Sequence, residues 1–170
     1  NLLRILHDAG STLILTQMVV DEVHSHIAAT DYEFLNLFME LERYVDKEIA
    51  RHSNKILIRA YFYAKFDPLL GTHPAGWKSF IEQICSYDDL HKIAESREQV
   101  KNYLIEKFGL EYLNTDDVTQ LTDEDEVRKL TDRIKTVKSE DVLALNDARH
   151  ILAVYGKRHA LREDHRPDPY

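Results

Sequence analysis

The sequence has little of what disulfide-rich, fibrous or membrane-spanning proteins need. Its 170 residues include one cysteine, Cys85, which can form no internal disulfide and favours a reducing, cytoplasmic compartment. Five glycines and four prolines are too few for a disordered or collagen-like chain. No apolar run approaches the roughly 20 residues that cross a bilayer, and the N-terminus lacks the basic-then-apolar pattern of a signal peptide. We therefore expect a soluble protein.

The chain also has no excess of positive charge. It contains 22 Lys and Arg against 30 Asp and Glu, which gives a formal net charge of −8. This balance argues against a protein that holds nucleic acid mainly through a basic surface. It does not exclude a nuclease, because a site for divalent metal concentrates carboxylates and needs basic residues only where the phosphate backbone passes.

Short apolar runs bounded by small polar residues predict two strands. The run "TLILT" (12–16) follows a helix that Gly10 ends, and it precedes a helix that extends to about Ala29. The run "LEYLN" (110–114) is a second, weaker strand candidate. Because a buried strand between two helices usually belongs to a parallel sheet, the pattern predicts an α/β fold, with a small, mostly parallel sheet and many helices.

The other segments have helical periodicity. Residues 31–108 are mostly helical by pattern, with a break at the loop "DPLLGTHPAGW" (67–77). Within this span one stripe of apolar residues predicts a buried helix face: Phe34, Leu37, Phe38, Leu41 and Val45. Further helices are predicted over residues 123–138 and, after a cap at Ser139, over 140–160.

Two of the predicted helices carry an acidic residue within their apolar face. These residues are Glu22 in "LILTQMVVDEVHSHI" and Asp147 in "SEDVLALNDARHILAV". At about 100° per residue, the sector around Asp147 contains Leu143, Ile151 and Val154. A buried, ionised carboxylate is costly unless it is paired or bound to a cation. Either each acid makes a private bond, Glu22 with His26 and Asp147 with a nearby Arg, or both bind one divalent metal at the carboxyl edge of a parallel sheet.

Two segments resemble PIN-like nuclease domains. "STLILTQMVVDEVHSHI" resembles that family's strand followed by a helix with an acidic residue, and "LNDARHILAVY" resembles its later helix, which opens with an Asp. The resemblance implies that Glu22 and Asp147 bind Mg²⁺ or Mn²⁺, with Asp141 as a substitute for Asp147. It also implies hydrolysis of RNA by metal-activated water.

The sequence departs from that family at both ends. The family opens with a strand that ends in an Asp and closes with another strand that carries an acidic residue, and this chain contains neither. Either an acid outside this chain completes the site, or the protein is a degenerate, non-catalytic relative. In both cases residues 1–160 form a single domain with a helical insertion at 31–108, and 161–170 form a tail. The alternative function is an interaction domain whose insertion binds a protein partner.

Basic and aromatic residues near these helices have two interpretations. Lys157, Arg158 and Arg162 follow Asp147 on its helix and either contact phosphates or stabilise the helix C-terminus. The run "RAYFYAKF" (59–66) either stacks unpaired bases or packs in the core, which its helical spacing favours.

Histidine spacing supports a third, minor hypothesis. "DEVH", "DDLH" and "DARH" each place an Asp and a His three residues apart, a spacing that di-iron helical bundles use with Glu and His. Because Asp21 and His24 fall on the polar side of their predicted helix, this pattern argues only weakly for a di-iron site.

Overall fold

The fold is known from a computed structural model, which describes residues 2–67, 69, 73–138 and 140–164; for Arg4 and residues 161–164 it describes the backbone alone. Its strands are β1 (Ile14–Thr16) and β2 (Glu111–Leu113). Its α-helices are α1 (Leu2–Asp8), α2 (Gln17–Glu33), α3 (Lys47–Arg51), α4 (Ile56–Phe66), α5 (Trp77–Ile81), α6 (Ile93–Phe108), α7 (Thr115–Gln120), α8 (Glu124–Lys135) and α9 (Asp141–Asp164). None of the described helices is both long enough and apolar enough to cross a bilayer.

The chain divides into two compact units that are not contiguous in sequence. The first unit contains the residues up to Leu13 together with Val19–Leu110. The second unit contains Ile14–Met18 together with the residues from Glu111 onward. The short segment that holds β1 therefore belongs with the C-terminal part of the chain.

The predicted α/β fold is wrong, although both predicted strands form. In the described residues β1 and β2 make one parallel pair, with Ile14 opposite Glu111 and Thr16 opposite Leu113, and the rest of the regular structure is helical. The physical reason is that only these two short runs carry the strand pattern. Elsewhere the apolar residues recur at three- and four-residue spacing, which buries one face of a helix and leaves no further strand to build a sheet.

An aromatic cluster forms the core of the first unit. The rings of Phe34 and Trp77 are stacked, with centroids 4.3 Å apart and an interplanar angle of 8°. Tyr61 meets both of these rings edge-on, at 5.5 Å and 5.4 Å between centroids. Phe62 and Phe80 pack against Tyr61. Of the two interpretations of residues 59–66, the structure supports the core, because Tyr61 and Phe62 are fully buried.

A π-helical turn at Phe34–Phe38 changes which side chains are buried after α2. The amide of Met39 donates to the carbonyl of Phe34 at 2.8 Å, a bond that spans five residues where an α-helix would span four. The extra residue rotates the following chain, so Leu37 and Leu41 are exposed. The predicted apolar stripe is therefore wrong at these two positions, because it assumed an uninterrupted α-helical period.

The second unit is built on α9, which packs along α8. α9 comes close to the end of α7 at Gly156, since a Cβ there would lie 2.2 Å from the carbonyl oxygen of Leu121. α8 begins at a cap in which the carboxylate of Asp123 accepts from the amide of Glu126 at 3.0 Å. α9 extends to Asp164, beyond the predicted end at residue 160, and the predicted cap Ser139 and residues 165–170 lie outside the described residues.

Candidate functional site

Glu22 does not lie on the buried face of α2. Its side chain is 54% exposed, and its carboxylate lies 4.0 Å from Nε2 of His26. The buried positions of the helix are instead Val20, His24, Ile27 and Asp31. These four residues follow a regular three- and four-residue spacing, and Glu22 falls between them. The predicted burial is therefore wrong, and the predicted pairing with His26 is present as a long contact.

His24 is buried, against the prediction that it lies on the polar side of its helix. Its Nε2 is 2.7 Å from Oγ of Ser96 and 3.1 Å from the carbonyl oxygen of Leu90. Both contacts engage Nε2 inside the first unit. His24 thus packs on the buried face of α2, with Nε2 bonded to protein atoms.

Asp147 lies on an exposed stripe of α9. Its side chain is 39% exposed, and its Oδ2 accepts a hydrogen bond from Nζ of Lys138. The predicted apolar neighbours on this stripe are also exposed, at 36%, 42% and 38%: Leu143, Ile151 and Val154. α9 buries its small residues instead: Ala144, Ala148 and Ala153. The predicted buried face is thus wrong, because small side chains allow α9 to approach its neighbours closely.

Of the other predicted site residues, two form ion pairs and one is described only as exposed. Asp141 is the first residue of α9, is 78% exposed and lies 3.2 Å from Nζ of Lys135, so it also suits the positive end of the helix dipole. Lys157 binds the carboxylate of Glu111 on β2 and is only 21% exposed. Arg158 is exposed. The side chain of Arg162 lies outside the described residues.

The carboxyl end of β1 is bonded to α9 one helical turn after Asp147. Oγ1 of Thr16, the last residue of β1, shares a 2.7 Å hydrogen bond with Nε2 of His150. On the neighbouring strand, the hydroxyl of Tyr112 donates to Oε1 of Gln17, the residue that follows β1. Within the second unit, the Thr16–His150 bond brings the turn of α9 that follows Asp147 to the carboxyl end of β1.

Asp147 fits one ligand position of a divalent cation. It is accessible to water and already binds a cationic group, the ammonium of Lys138. Among the residues that the structure describes, however, no group of three or more His, Cys, Asp or Glu side chains is arranged to hold a metal ion. Glu22 and Asp147 belong to different units. The described residues thus supply a single candidate ligand at this place, without a preformed cluster.

The first unit contains a buried carboxylate that the sequence analysis missed. Asp31 is 1% exposed, and its Oδ1 accepts a 2.8 Å hydrogen bond from Nε1 of Trp77. Its Oδ2 lies 3.7 Å from Nε2 of His91, which is itself 73% exposed. Burial and a hydrogen bond to Asp31 raise the pKa of Tyr87 to about 12. The spacing of Asp31 from the apolar Val20 and Ile27, eleven and four residues, is the signal that places it on the buried face.

This cluster does not activate the single cysteine. Cys85 is 4% exposed, and burial, with smaller contributions from the negative charges of Asp31 and Asp89, raises the pKa of its thiol. A thiol with a raised pKa is a poor nucleophile at neutral pH. The contacts of Asp31 are those of a paired structural carboxylate.

No protein-family model, no curated protein and no solved structure matches the chain.

Proposed function

We propose that the protein is a metal-dependent phosphodiesterase that hydrolyses RNA, and that Asp147 is an essential ligand of its metal. The observation that carries this proposal is the hydrogen bond between Thr16 and His150, with Asp147 one turn earlier on the same helix. Ligands of open parallel sheets bind beyond the carboxyl ends of the strands, and this bond joins α9 to such an end.

Mg²⁺ suits a position with few protein ligands. It is commonly bound through one or two carboxylates, with water and substrate phosphate as the remaining ligands. In this proposal Asp147 is the first ligand, and Asp141, at the start of the same helix, is the further candidate. Bound Mg²⁺ or Mn²⁺ supplies an activated water for attack on phosphorus.

The chain's own residues have separate roles in this proposal. Lys138 donates a hydrogen bond to the carboxylate of Asp147 in the second turn of α9. Arg158 is exposed on the same helix and is free of the strand contact that engages Lys157, so it is the better candidate for a phosphate contact. With its net charge of −8, the protein would bind RNA through few contacts. We place this activity in the cytoplasm, where Cys85 remains reduced.

RNA cleavage by three proteins tests this proposal. We would compare the wild type, Asp147→Asn and the control Asp132→Asn with a labelled single-stranded RNA, in Mn²⁺ and in EDTA. Asp132 is an exposed acid of α8 and has no role in the proposal. We expect metal-dependent cleavage that Asp147→Asn abolishes and Asp132→Asn retains. Cleavage by Asp147→Asn at the wild-type rate contradicts the proposal, since it indicates another site or a contaminating nuclease.

A second candidate function is protein binding through the helical span of the first unit. Large apolar side chains that are at least 42% exposed recur between residues 32 and 56: Tyr32, Leu35, Leu37, Met39, Leu41, Tyr44, Ile49 and Ile56. Exposed apolar surface of this kind marks interaction sites. Sedimentation of the wild type beside Leu37→Glu tests the simplest partner, a second copy. A monomer at all concentrations excludes that partner, and loss of a dimer in Leu37→Glu supports it.

A further inference from the structure

One face of α9 presents large apolar side chains to solvent. Leu143, Ile151 and Val154 are exposed on this face, whereas the helix buries alanines. Asp147 and Arg158 lie on the same face, because successive intervals of four, four, three and four residues keep all five residues within about 80° around the helix axis. We call these five residues the α9 stripe.

The spacing of the α9 stripe is that of a surface on which a second helix packs. Asp147, Ile151, Val154 and Arg158 recur at alternating intervals of four and three residues, the spacing of the a and d positions of paired helices. The two central positions are apolar and the two outer positions are charged. The stripe therefore has an apolar middle, which a second helix would cover, and a charged residue at each end.

The α9 stripe is complementary to itself when one of two copies is reversed. Antiparallel pairing about a twofold axis between residues 152 and 153 sets Ile151 against Val154 of a second copy, and Asp147 against Arg158 of that copy. The twofold axis makes each of these contacts twice. Parallel pairing would instead set Asp147 against Asp147 and Arg158 against Arg158, and such like-charge contacts are unfavourable. The order of the charges thus fits an antiparallel second copy.

The two charges of the stripe cannot pair within one chain. Asp147 and Arg158 are eleven residues apart on α9, which is about 16 Å along the helix axis. Lys138 bonds to Oδ2 of Asp147, and the second carboxylate oxygen can still accept from a guanidinium. Arg158 is exposed and lacks the strand contact that engages Lys157. The charge complementarity of the stripe is therefore realised only between two chains.

We propose that the α9 stripe is the interface of an antiparallel homodimer, in which two copies of this chain bury Ile151 and Val154 and form two ion pairs between Asp147 and Arg158. Burial of the apolar side chains drives association, and the charges fix the direction and register of the helices. This inference goes beyond the proposed function and does not rest on it. In the dimer the carboxylate of Asp147 is engaged, so the metal of the proposed function would bind the monomer.

The test is analytical ultracentrifugation of the full chain in EDTA, over a wide range of protein concentration. Asp147→Arg and Arg158→Asp each place like charges at both ends of the interface, so we expect either variant alone to dimerise at least about tenfold more weakly than the wild type. An equimolar mixture of the two variants restores opposite charges at both ends. We expect the mixture to dimerise as the wild type does, a result that misfolded variants cannot give.

A matched pair of variants tests the apolar part of the interface. Ile151→Glu introduces a charge in the middle of the stripe, and we expect it to abolish the dimer. Val142→Glu is the control, because Val142 is also exposed on α9 but lies at least about 100° around the helix axis from every residue of the stripe. We expect Val142→Glu to dimerise as the wild type does.

Four results would overturn the proposal. The first is a wild type that stays monomeric at all concentrations, and the second is a dimer that survives Ile151→Glu. The third is a mixture of Asp147→Arg and Arg158→Asp that remains monomeric where the wild type dimerises, since this contradicts the antiparallel pairing. The fourth is a dimer lost in Leu37→Glu and retained in Ile151→Glu, which assigns the interface to the first unit.

Discussion

The indole of Trp77 donates a 2.8 Å hydrogen bond to Asp31 in the interior of the first unit. The same indole stacks on Phe34, so one side chain joins the aromatic core to a buried carboxylate. Because a buried charge without partners is costly, the two residues depend on each other. The stability of the first unit is therefore sensitive to either one.

Replacing Asp31 by Ala should destabilise the protein by about 3 kcal/mol, because it leaves the Trp77 N–H buried without an acceptor and opens a cavity. Asp31→Asn should cost less, since the amide oxygen still accepts from the indole. Urea denaturation measures both values. As a control, Asp88→Ala removes an acid that is 82% exposed and should cost no more than about 1 kcal/mol. Equal losses for Asp31→Ala and Asp88→Ala would contradict the structural role of Asp31.

Tyr87 should make the protein less stable at alkaline pH. Burial and its hydrogen bond to Asp31 raise its pKa from 10.0 to about 12, so the folded protein holds the phenolic proton more tightly than the unfolded chain. The resulting stabilisation is complete below pH 10 and is lost as the pH rises towards 12. The free energy of unfolding, measured in urea from pH 8 to 12, should fall less steeply in Tyr87→Phe. Identical slopes in the two proteins would refute this effect.

Glu42 should contribute stability that acid removes. Partial burial raises its pKa, but hydrogen bonds from Lys65 and Tyr61 outweigh this effect and lower the pKa below 4.5. The unfolded chain therefore binds a proton more readily, and the stabilisation present above pH 4.5 is lost as the pH falls through the lower, folded value. Glu42→Gln should lose about 1 kcal/mol at pH 7. Thermal melts from pH 2 to 7 should show a smaller acid dependence in this variant than in the wild type.

Gly156 should tolerate no side chain. Alanine normally stabilises a helix by about 1 kcal/mol relative to glycine, but here its Cβ would lie 2.2 Å from the carbonyl oxygen of Leu121. We therefore expect Gly156→Ala to lower the free energy of unfolding by at least about 2 kcal/mol. Gly76→Ala is the matched control, because no atom lies within 4 Å of its Cβ position. A gain in stability for Gly156→Ala would show that α9 does not approach Leu121 so closely.

The local elements are predictable from sequence because their signals are local. The run before Thr16 is short, apolar and flanked by polar residues, and it forms β1. Gly109 has a φ of +63°, a conformation that glycine adopts without strain, and it ends α6 where the sequence predicts. The number of strands is not predictable in the same way, because a parallel sheet depends on residues distant in the chain.

The buried positions of the acids are harder to predict than the helices that carry them. A helical wheel predicts that a position is buried when its neighbours on the wheel are apolar. By this criterion Glu22 and Asp147 are predicted to be buried. In the structure α9 buries alanines and exposes Leu143, while α2 buries Asp31. Which residues of a helix are buried depends on the elements that pack against it. Trp77, the hydrogen-bond partner of Asp31, lies 46 residues away in sequence. The local pattern therefore contains no information about that partner.

The position of β1 has a consequence for the order of folding. During synthesis Ile14–Thr16 emerges before its neighbour β2, which follows α2 to α6. The bonded residues Gln17 and Tyr112 are 95 positions apart. Closing a loop of that length is entropically unfavourable and slow. The backbone of β1 therefore stays without its strand partner until β2 has been synthesised and the loop has closed. We infer that the C-terminal helices assemble late, and that a nascent chain stalled before Glu111 exposes β1 to proteases or to chaperones.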